Sequence, residues 1–91
     1  MAIVDLDREQ QIELLDAGLE RLVEVYLPLA VSVVSRYAQG GDVERLAEDV
    51  LLRSLERAVA PYLERLPEYR FDTYLTYYLV REIEERLGGE E

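Results

Sequence analysis

The chain has 91 residues, of which 49% are hydrophobic, and this length accommodates one small domain with a single shared core. Its 20 acidic and ten basic residues give a formal net charge of -10, and this negative field repels nucleic acid at long range and attracts basic protein surfaces. The absence of Cys and His excludes disulfides, the usual zinc sites and His-based acid–base catalysis, so we expect neither a cofactor nor an enzymatic activity.

The spacing of apolar residues predicts an all-α protein, a small bundle of four to five helices. Apolar residues recur three and four positions apart, and no run alternates as a strand would. The first predicted helix runs from Asp7 to Asp16 and ends before a break at Gly18. The second runs from Leu19 to Ala38, and Pro28 inside it predicts either one bent helix or two helices.

The third predicted helix follows a glycine turn. Gly40–Gly41 end the second helix, and Asp42 offers a carboxylate to cap the next one. The amphipathic pattern then covers Asp42–Ala60. Pro61 is expected to break the helix and leave a short separate piece, Tyr62–Leu66.

The last predicted helix runs from Thr73 to Leu87, with Asp72 as its capping residue. Its core stripe is formed by residues four apart, namely Leu75, Leu79, Ile83 and Leu87. We therefore expect an N-terminal helical segment (1–18), a helical domain (19–87) and a frayed tail (88–91).

Three blocks of sequence resemble the second region of bacterial RNA polymerase sigma factors. Tyr69-Arg70-Phe71-Asp72-Thr73-Tyr74-Leu75-Thr76-Tyr77-Tyr78-Leu79 is similar to the promoter-melting segment, which reads aromatic, basic, Phe, Ser, Thr, Tyr, Ala, Thr, two Trp and an aliphatic residue. Tyr26–Ala30 followed by Arg36–Ala38 resembles the helix that opens that region, and Glu44–Leu55 occupies the place of its core-binding helix. The blocks keep the family order from Leu22 to Leu87. The resemblance implies a helical bundle of the sigma-region-2 type.

The resemblance implies that the aromatic block captures bases of melted promoter DNA, because unstacked bases can stack on aromatic rings. The DNA-contacting residues it implies are Tyr69, Arg70, Phe71, Tyr74, Tyr77, Tyr78 and Arg81. The rings could instead belong to the core. Tyr74 and Tyr78 flank the leucine stripe, as packing residues do, whereas Tyr69 and Tyr77 lie off it and favour function.

The charges after the aromatic block depart from the family pattern. Val80, Glu84 and Glu85 stand where the family usually carries basic residues that hold the promoter backbone. Since each carboxylate repels a phosphate, any binding to single-stranded promoter DNA is expected to be weak and salt-sensitive. Glu82, Glu84 and Glu85 are also typical of a solvated helix face, and Glu82 in particular is expected to lie on one.

The third helix carries the implied docking face for core RNA polymerase, which in the family meets a coiled coil of the largest polymerase subunit. The residues in question are Arg45, Glu48, Asp49, Leu52 and Arg53. Arg45 replaces the family's Asp, Glu48 its Gln and Asp49 its Glu, so acidic character survives at two of three positions. The same residues would also suit a solvated face on which Asp49 attracts Arg53.

Two functions remain open. One is a sigma-like initiation domain that binds polymerase and captures melted DNA, and the other is an acidic mimic or adaptor that binds polymerase or a regulator without opening DNA. A chain of 91 residues lacks room for the second DNA-reading domain of a sigma factor, so we expect either a fragment or a factor with a reduced role. Without a membrane span or signal peptide in the sequence, the expected location is the cytoplasm, and no small-molecule substrate is expected.

Overall fold

The computed structural model describes residues 4–38 and 42–88, and within these ranges it contains helices and no strand, which confirms the all-α prediction. The elements are α1 (Arg8–Leu14), a 3₁₀ turn (Leu15–Ala17), α2 (Leu19–Val34), α3 (Val43–Arg65) and α4 (Phe71–Gly88). The predicted glycine stop at Gly40–Gly41 and the predicted frayed residues 89–91 lie outside the described residues. Gly88, placed in the tail by the sequence, is the last residue of α4.

A reciprocal pair of hydrogen bonds starts α1. The Asp7 carboxylate accepts from the Gln10 N–H at 2.8 Å, and the Gln10 side-chain oxygen accepts from the Asp7 N–H at 3.0 Å. This capping box satisfies two N–H groups that the helix itself cannot pair. The predicted break at Gly18 is confirmed, since its φ of 102° is open to glycine and strained for other residues.

α2 is one helix that continues through Pro28. Pro28 and Glu24 are both exposed, so the Glu24 carbonyl that loses its intrahelical partner can bond to water instead. The helix ends at Val34, earlier than the predicted Ala38. The residues after it form a turn in which the Tyr37 and Ala38 N–H groups both donate to the Val34 carbonyl at 2.9 Å.

The predicted break at Pro61 is wrong, because α3 continues through it to Arg65 and Tyr62–Leu66 is not a separate piece. Tyr62 explains the difference. Its side chain is fully buried and its hydroxyl donates to the Tyr69 carbonyl at 2.7 Å, so the last turn of α3 is held by tertiary contacts. The cap predicted at Asp42 is also wrong, since its carboxylate makes no capping hydrogen bond.

α4 begins at Phe71, two residues before the predicted start, and Asp72 lies in its first turn instead of capping it. The Asp72 carboxylate pairs with Arg70 at 2.8 Å. The Asp72 N–H donates to the side-chain oxygen of Gln11 at 2.9 Å, so this end of α4 is capped by a residue of α1. In the predicted stripe the first three residues are buried, but Leu87 is half exposed.

The core lies where α2, α3 and α4 pack against one another, and the N-terminal segment closes one end of it. At its centre the ring of Phe71 packs edge-on against the rings of Tyr26 and Tyr62. The distances between ring centroids are 5.5 Å to Tyr26 and 5.1 Å to Tyr62. Val4 and Leu15 join the same core from the N-terminal segment. No helix in residues 4–38 and 42–88 has the length and apolar character required to cross a membrane.

Candidate functional site

Three tyrosine rings gather at the N-terminal half of α4 and the loop before it. Tyr69, Tyr74 and Tyr77, together with Thr73, line a shallow cavity of about 330 Å³, and we refer to these four residues as the aromatic surface. Tyr69 is 49% exposed and Tyr77 is 58% exposed. The aromatic surface therefore offers the faces of two rings to solvent, on which a flat ligand could stack.

Neighbouring groups hold the rings of the aromatic surface in place. Tyr69 stacks on Tyr74 with 6.1 Å between ring centroids and 28° between ring planes. The Tyr62 hydroxyl donates a hydrogen bond to the Tyr69 carbonyl. The hydroxyls of Tyr74 and Tyr78 lie 3.4 Å apart. That hydrogen bond, with partial burial, raises the pKa of Tyr74 to about 12, so its hydroxyl is neutral at physiological pH.

Arg81 supplies a cation at the edge of the aromatic surface. Its guanidinium carbon lies 5.7 Å from the centroid of the Tyr77 ring, and its Nη1 donates to the Tyr77 hydroxyl at 3.4 Å. The hydrogen bond to Tyr77 raises the pKa of Arg81. Glu84 and Glu85 follow within the next turn and are exposed, so carboxylates lie close to this cation, and Glu85 also pairs with Arg57 at 3.6 Å.

Two residues expected to contact DNA make contacts within the fold instead. Phe71 is fully buried between Tyr26 and Tyr62, so its ring has no face for a base in this conformation. Arg70 bonds to the Asp72 carboxylate and, at 2.9 Å, to the Val4 carbonyl. An acidic residue two positions after Arg70, where the family has Ser, was the signal in the sequence that this cation would be neutralised locally.

Tyr78 supports the aromatic surface and contributes no open face to it. Its side chain is half-buried, and its ring meets that of Tyr77 edge-on at 5.7 Å and 85°. Its hydroxyl approaches that of Tyr74. Of the five predicted rings, Tyr69 and Tyr77 are therefore the ones whose faces are open, as their position off the leucine stripe indicated.

All five residues of the implied docking face are exposed on α3. Arg45, Glu48, Asp49 and Leu52 line a broad shallow groove of about 580 Å³, to which α2 contributes Val23. Leu52 is 39% exposed, so the groove has an apolar part with charges around it. From here on, the term docking face refers to this groove and its lining residues. Arg53 is exposed on the same helix but does not line the groove.

Asp49 pairs across the bundle and not with Arg53. Its carboxylate lies 2.7 Å from Nη1 of Arg86 in α4. The hydrogen bond from Arg86 lowers the pKa of Asp49. Because Arg86 offsets the charge of Asp49, the less compensated negative charge at the docking face is that of Glu48, which makes no ion pair in the described residues.

Glu82, expected on a solvated face, is only 5% exposed, and that prediction is wrong. Its carboxylate lies 3.1 Å from Nε of Arg86 and 3.3 Å from Nη1 of Arg57. Arg57 contacts this carboxylate because α4 packs against α3. The spacing of residues within α4 alone could not have predicted this contact. The ion pairs compensate the cost of burying the charge and join the two helices.

All ten arginines lie within the described residues, and half of them form ion pairs. The five paired with carboxylates are Arg8, Arg21, Arg57, Arg70 and Arg86. Near the aromatic surface, Arg65 and Arg81 are exposed and make no such pair within residues 4–38 and 42–88. Few cations therefore remain to neutralise phosphates beside the open rings.

The molecule thus combines an aromatic surface and a docking face. Across residues 4–38 and 42–88, no three carboxylates come together in a way that could hold a metal ion. Comparisons of the chain with models of protein families, with curated proteins and with solved structures gave no significant match. The two surfaces are the features from which a function can be inferred.

Proposed function

We propose that this chain is a domain of the sigma-region-2 type that binds core RNA polymerase in the bacterial cytoplasm and captures melted promoter DNA. The observation that carries the proposal is the aromatic surface. Its open rings, Tyr69 and Tyr77, stand at positions where the resemblance expects base contacts, and Arg81 lies over the second ring.

The aromatic surface can hold unstacked bases by stacking. A base that stacks on an aromatic side chain gains about 1–3 kcal/mol, and this gain does not depend on which base it is. Tyr69 and Tyr77 each expose about half of their surface, and the Tyr69–Tyr74 stack keeps one of them rigid. Two ordered platforms of this kind suit a short stretch of single-stranded DNA.

The docking face supports the polymerase part of the proposal. Val23 and Leu52 provide an apolar centre, and Glu48 and Asp49 provide carboxylates beside it. A helical coiled coil that carries Arg next to apolar residues would complement this arrangement. Charge pairs at such an interface select the partner and its orientation more than they increase affinity.

DNA capture is tested by titrating a single-stranded oligonucleotide of the downstream promoter element at low salt, with and without core polymerase. We expect saturable binding that Tyr77→Ala weakens about tenfold, the effect of losing one stacked base. Tyr37→Ala is the matched control, because Tyr37 is 45% exposed on a different part of the molecule. Equal binding by the two variants would remove the aromatic surface from the proposal.

Docking is tested by co-elution of the chain with core polymerase. Glu48→Arg reverses a charge on the docking face that makes no ion pair within the described residues, so it leaves the fold intact. We expect co-elution to be lost. Glu13→Arg, an exposed reversal on α1, should leave co-elution unchanged. Co-elution of the Glu48→Arg variant would exclude this face.

The second candidate function is an acidic adaptor that occupies polymerase without opening DNA. It is favoured by the engagement of Arg70 and Phe71 in the fold and by the exposed Glu84 and Glu85 beside Arg81. Each of these lowers the affinity for a phosphate backbone. Co-elution with polymerase, combined with no oligonucleotide binding in either condition, would favour the adaptor.

A further inference from the structure

A second apolar groove lies where the 3₁₀ turn, α2 and α3 meet. We call it the junction groove, and it encloses about 340 Å³. Its lining includes Leu15, Leu19, Leu22, Leu55, Glu56 and Val59. None of its residues lines the docking face. Leu52 of the docking face and Leu55 of the junction groove are three residues apart on α3, or about 4.5 Å along the helix axis, so the two grooves adjoin but have different lining residues.

The junction groove has an apolar floor and an open apolar wall. Leu22 and Leu55 form the floor and are 2% and 0% exposed. Leu19, the first residue of α2, is 40% exposed and has no covering partner within the described residues. Leu63, one turn beyond Val59 on α3, is also 40% exposed and extends the apolar strip.

Three unpaired carboxylates lie at the junction groove. Glu56 lines the groove, and Asp16 and Glu20 are exposed neighbours of the lining residues Leu15 and Leu19. None of these three carboxylates forms an ion pair within residues 4–38 and 42–88.

The cations adjacent in sequence to the junction groove are engaged elsewhere. Arg21 pairs with Glu24 at 2.9 Å. Arg57 pairs with Glu82 at 3.3 Å and with Glu85 at 3.6 Å, on the side of α3 that faces α4. Arg53, three residues before Glu56 on α3, is exposed and is the one nearby cation without an ion pair in the described residues, so the three carboxylates still outnumber it.

We propose that the junction groove binds an amphipathic helix of a partner protein, with apolar residues facing the groove and Arg or Lys residues beside them. A helix laid in a groove anchors through residues three and four positions apart, which matches a strip bounded by Leu19, Val59 and Leu63. The flanking cations pair with Asp16, Glu20 and Glu56. A second copy of this acidic chain and a nucleic acid would both be repelled by the same carboxylates.

The test uses the full chain and short synthetic peptides, followed by amide chemical shifts in two-dimensional NMR. One peptide is an amphipathic helix with leucine anchors and flanking arginines, and the other has the same composition in a scrambled order. The amphipathic peptide should shift resonances of the 3₁₀ turn, the first half of α2 and residues 55–60. Leu19→Ser should weaken its binding about tenfold, since the leucine burial is lost, and Glu56→Gln about two- to fivefold.

Leu87→Ser is the matched control, because Leu87 is 50% exposed on α4, away from the groove. This variant should bind the amphipathic peptide as the unsubstituted chain does. Equal binding of the scrambled peptide, equal losses in the two leucine variants, shifts centred outside the groove or absence of binding would each overturn the proposal. The Leu19→Ser variant should still co-elute with polymerase, because Leu19 does not line the docking face. This measurement distinguishes a failure of the junction-groove proposal from a failure of the docking proposal.

Discussion

Gln11 connects three parts of the molecule through a single buried side chain. Its oxygen accepts from the Tyr26 hydroxyl and from the Asp72 N–H, both at 2.9 Å, and its nitrogen donates to the Leu6 carbonyl at 2.9 Å. Gln11 and Tyr26 are both fully buried, so the Tyr26 hydroxyl has no water to bond to instead. Burial of the hydroxyl raises the pKa of Tyr26, which remains a neutral donor.

We expect Gln11→Leu to destabilise the fold. The substitution leaves the Tyr26 hydroxyl buried without an acceptor, which costs about 1–3 kcal/mol, and it also removes the acceptor of the partly buried Asp72 N–H. Urea denaturation measures the change in the free energy of unfolding. Glu13→Leu, at an exposed position of the same helix, should change it by less than about 0.5 kcal/mol. Similar values for the two variants would mean that the Gln11 hydrogen bonds contribute little.

The Tyr74–Tyr78 hydroxyl pair predicts a loss of stability at alkaline pH. The pKa of Tyr74 is raised from 10.0 to about 12 in the folded chain, so its contribution is complete below pH 10 and is lost as the pH rises towards 12. Tyr78→Phe removes the hydrogen bond, and the pKa of Tyr74 should move back towards 10. Titration of the tyrosine ring carbons by NMR checks this, and an unchanged pKa would assign the shift to burial alone.

At the scale of the elements, the turn between α3 and α4 contains a strained residue and is hydrogen-bonded to α1. Leu66 has φ 44° and ψ 60°, a left-handed conformation that glycine adopts readily and leucine does not. Arg8 donates to the carbonyls of Pro67 at 2.9 Å and Leu66 at 3.3 Å. The N-terminal segment thus holds the turn that presents Tyr69 to the aromatic surface.

Leu66→Gly is expected to raise the free energy of unfolding by about 0.5–1 kcal/mol, because glycine relieves the left-handed strain. Little packing is lost, since Leu66 is 48% exposed. The control is Leu63→Gly, which removes a similarly exposed leucine from a regular helical turn and should lower stability by about 1 kcal/mol. Thermal denaturation compares the variants, and a loss of stability in both would show that the turn stores no strain.

At the scale of the whole molecule, the net charge of -10 predicts self-repulsion in the folded state. Added NaCl should therefore raise the melting temperature at pH 7, because screening weakens repulsion among exposed carboxylates. Glu44→Gln combined with Glu84→Gln reduces the charge from -10 to -8 at two exposed positions and should reduce the salt dependence. A melting temperature that falls with salt would mean that the ion pairs of α3 and α4 outweigh the repulsion.

The sequence by itself determined the features that depend on local chemistry. The three- and four-residue spacing predicted helices because one turn of helix repeats at that interval, and Gly18 marked a break because its conformation is accessible to glycine. Tyr77 lies off the leucine stripe of α4, and the structure leaves its ring open for that reason, whereas Tyr69 is exposed in the loop before the helix. Whether these rings stack on bases stays a prediction.

Tertiary structure decided which distant groups meet. α3 continues through Pro61 because Tyr62 is buried beyond it, and Phe71 joins the core because Tyr26 and Tyr62 enclose its ring. Glu82 is buried because Arg57 and Arg86 neutralise it. Side-chain spacing along one helix carries no information about these partners, since burial and charge pairing depend on how the helices pack against one another.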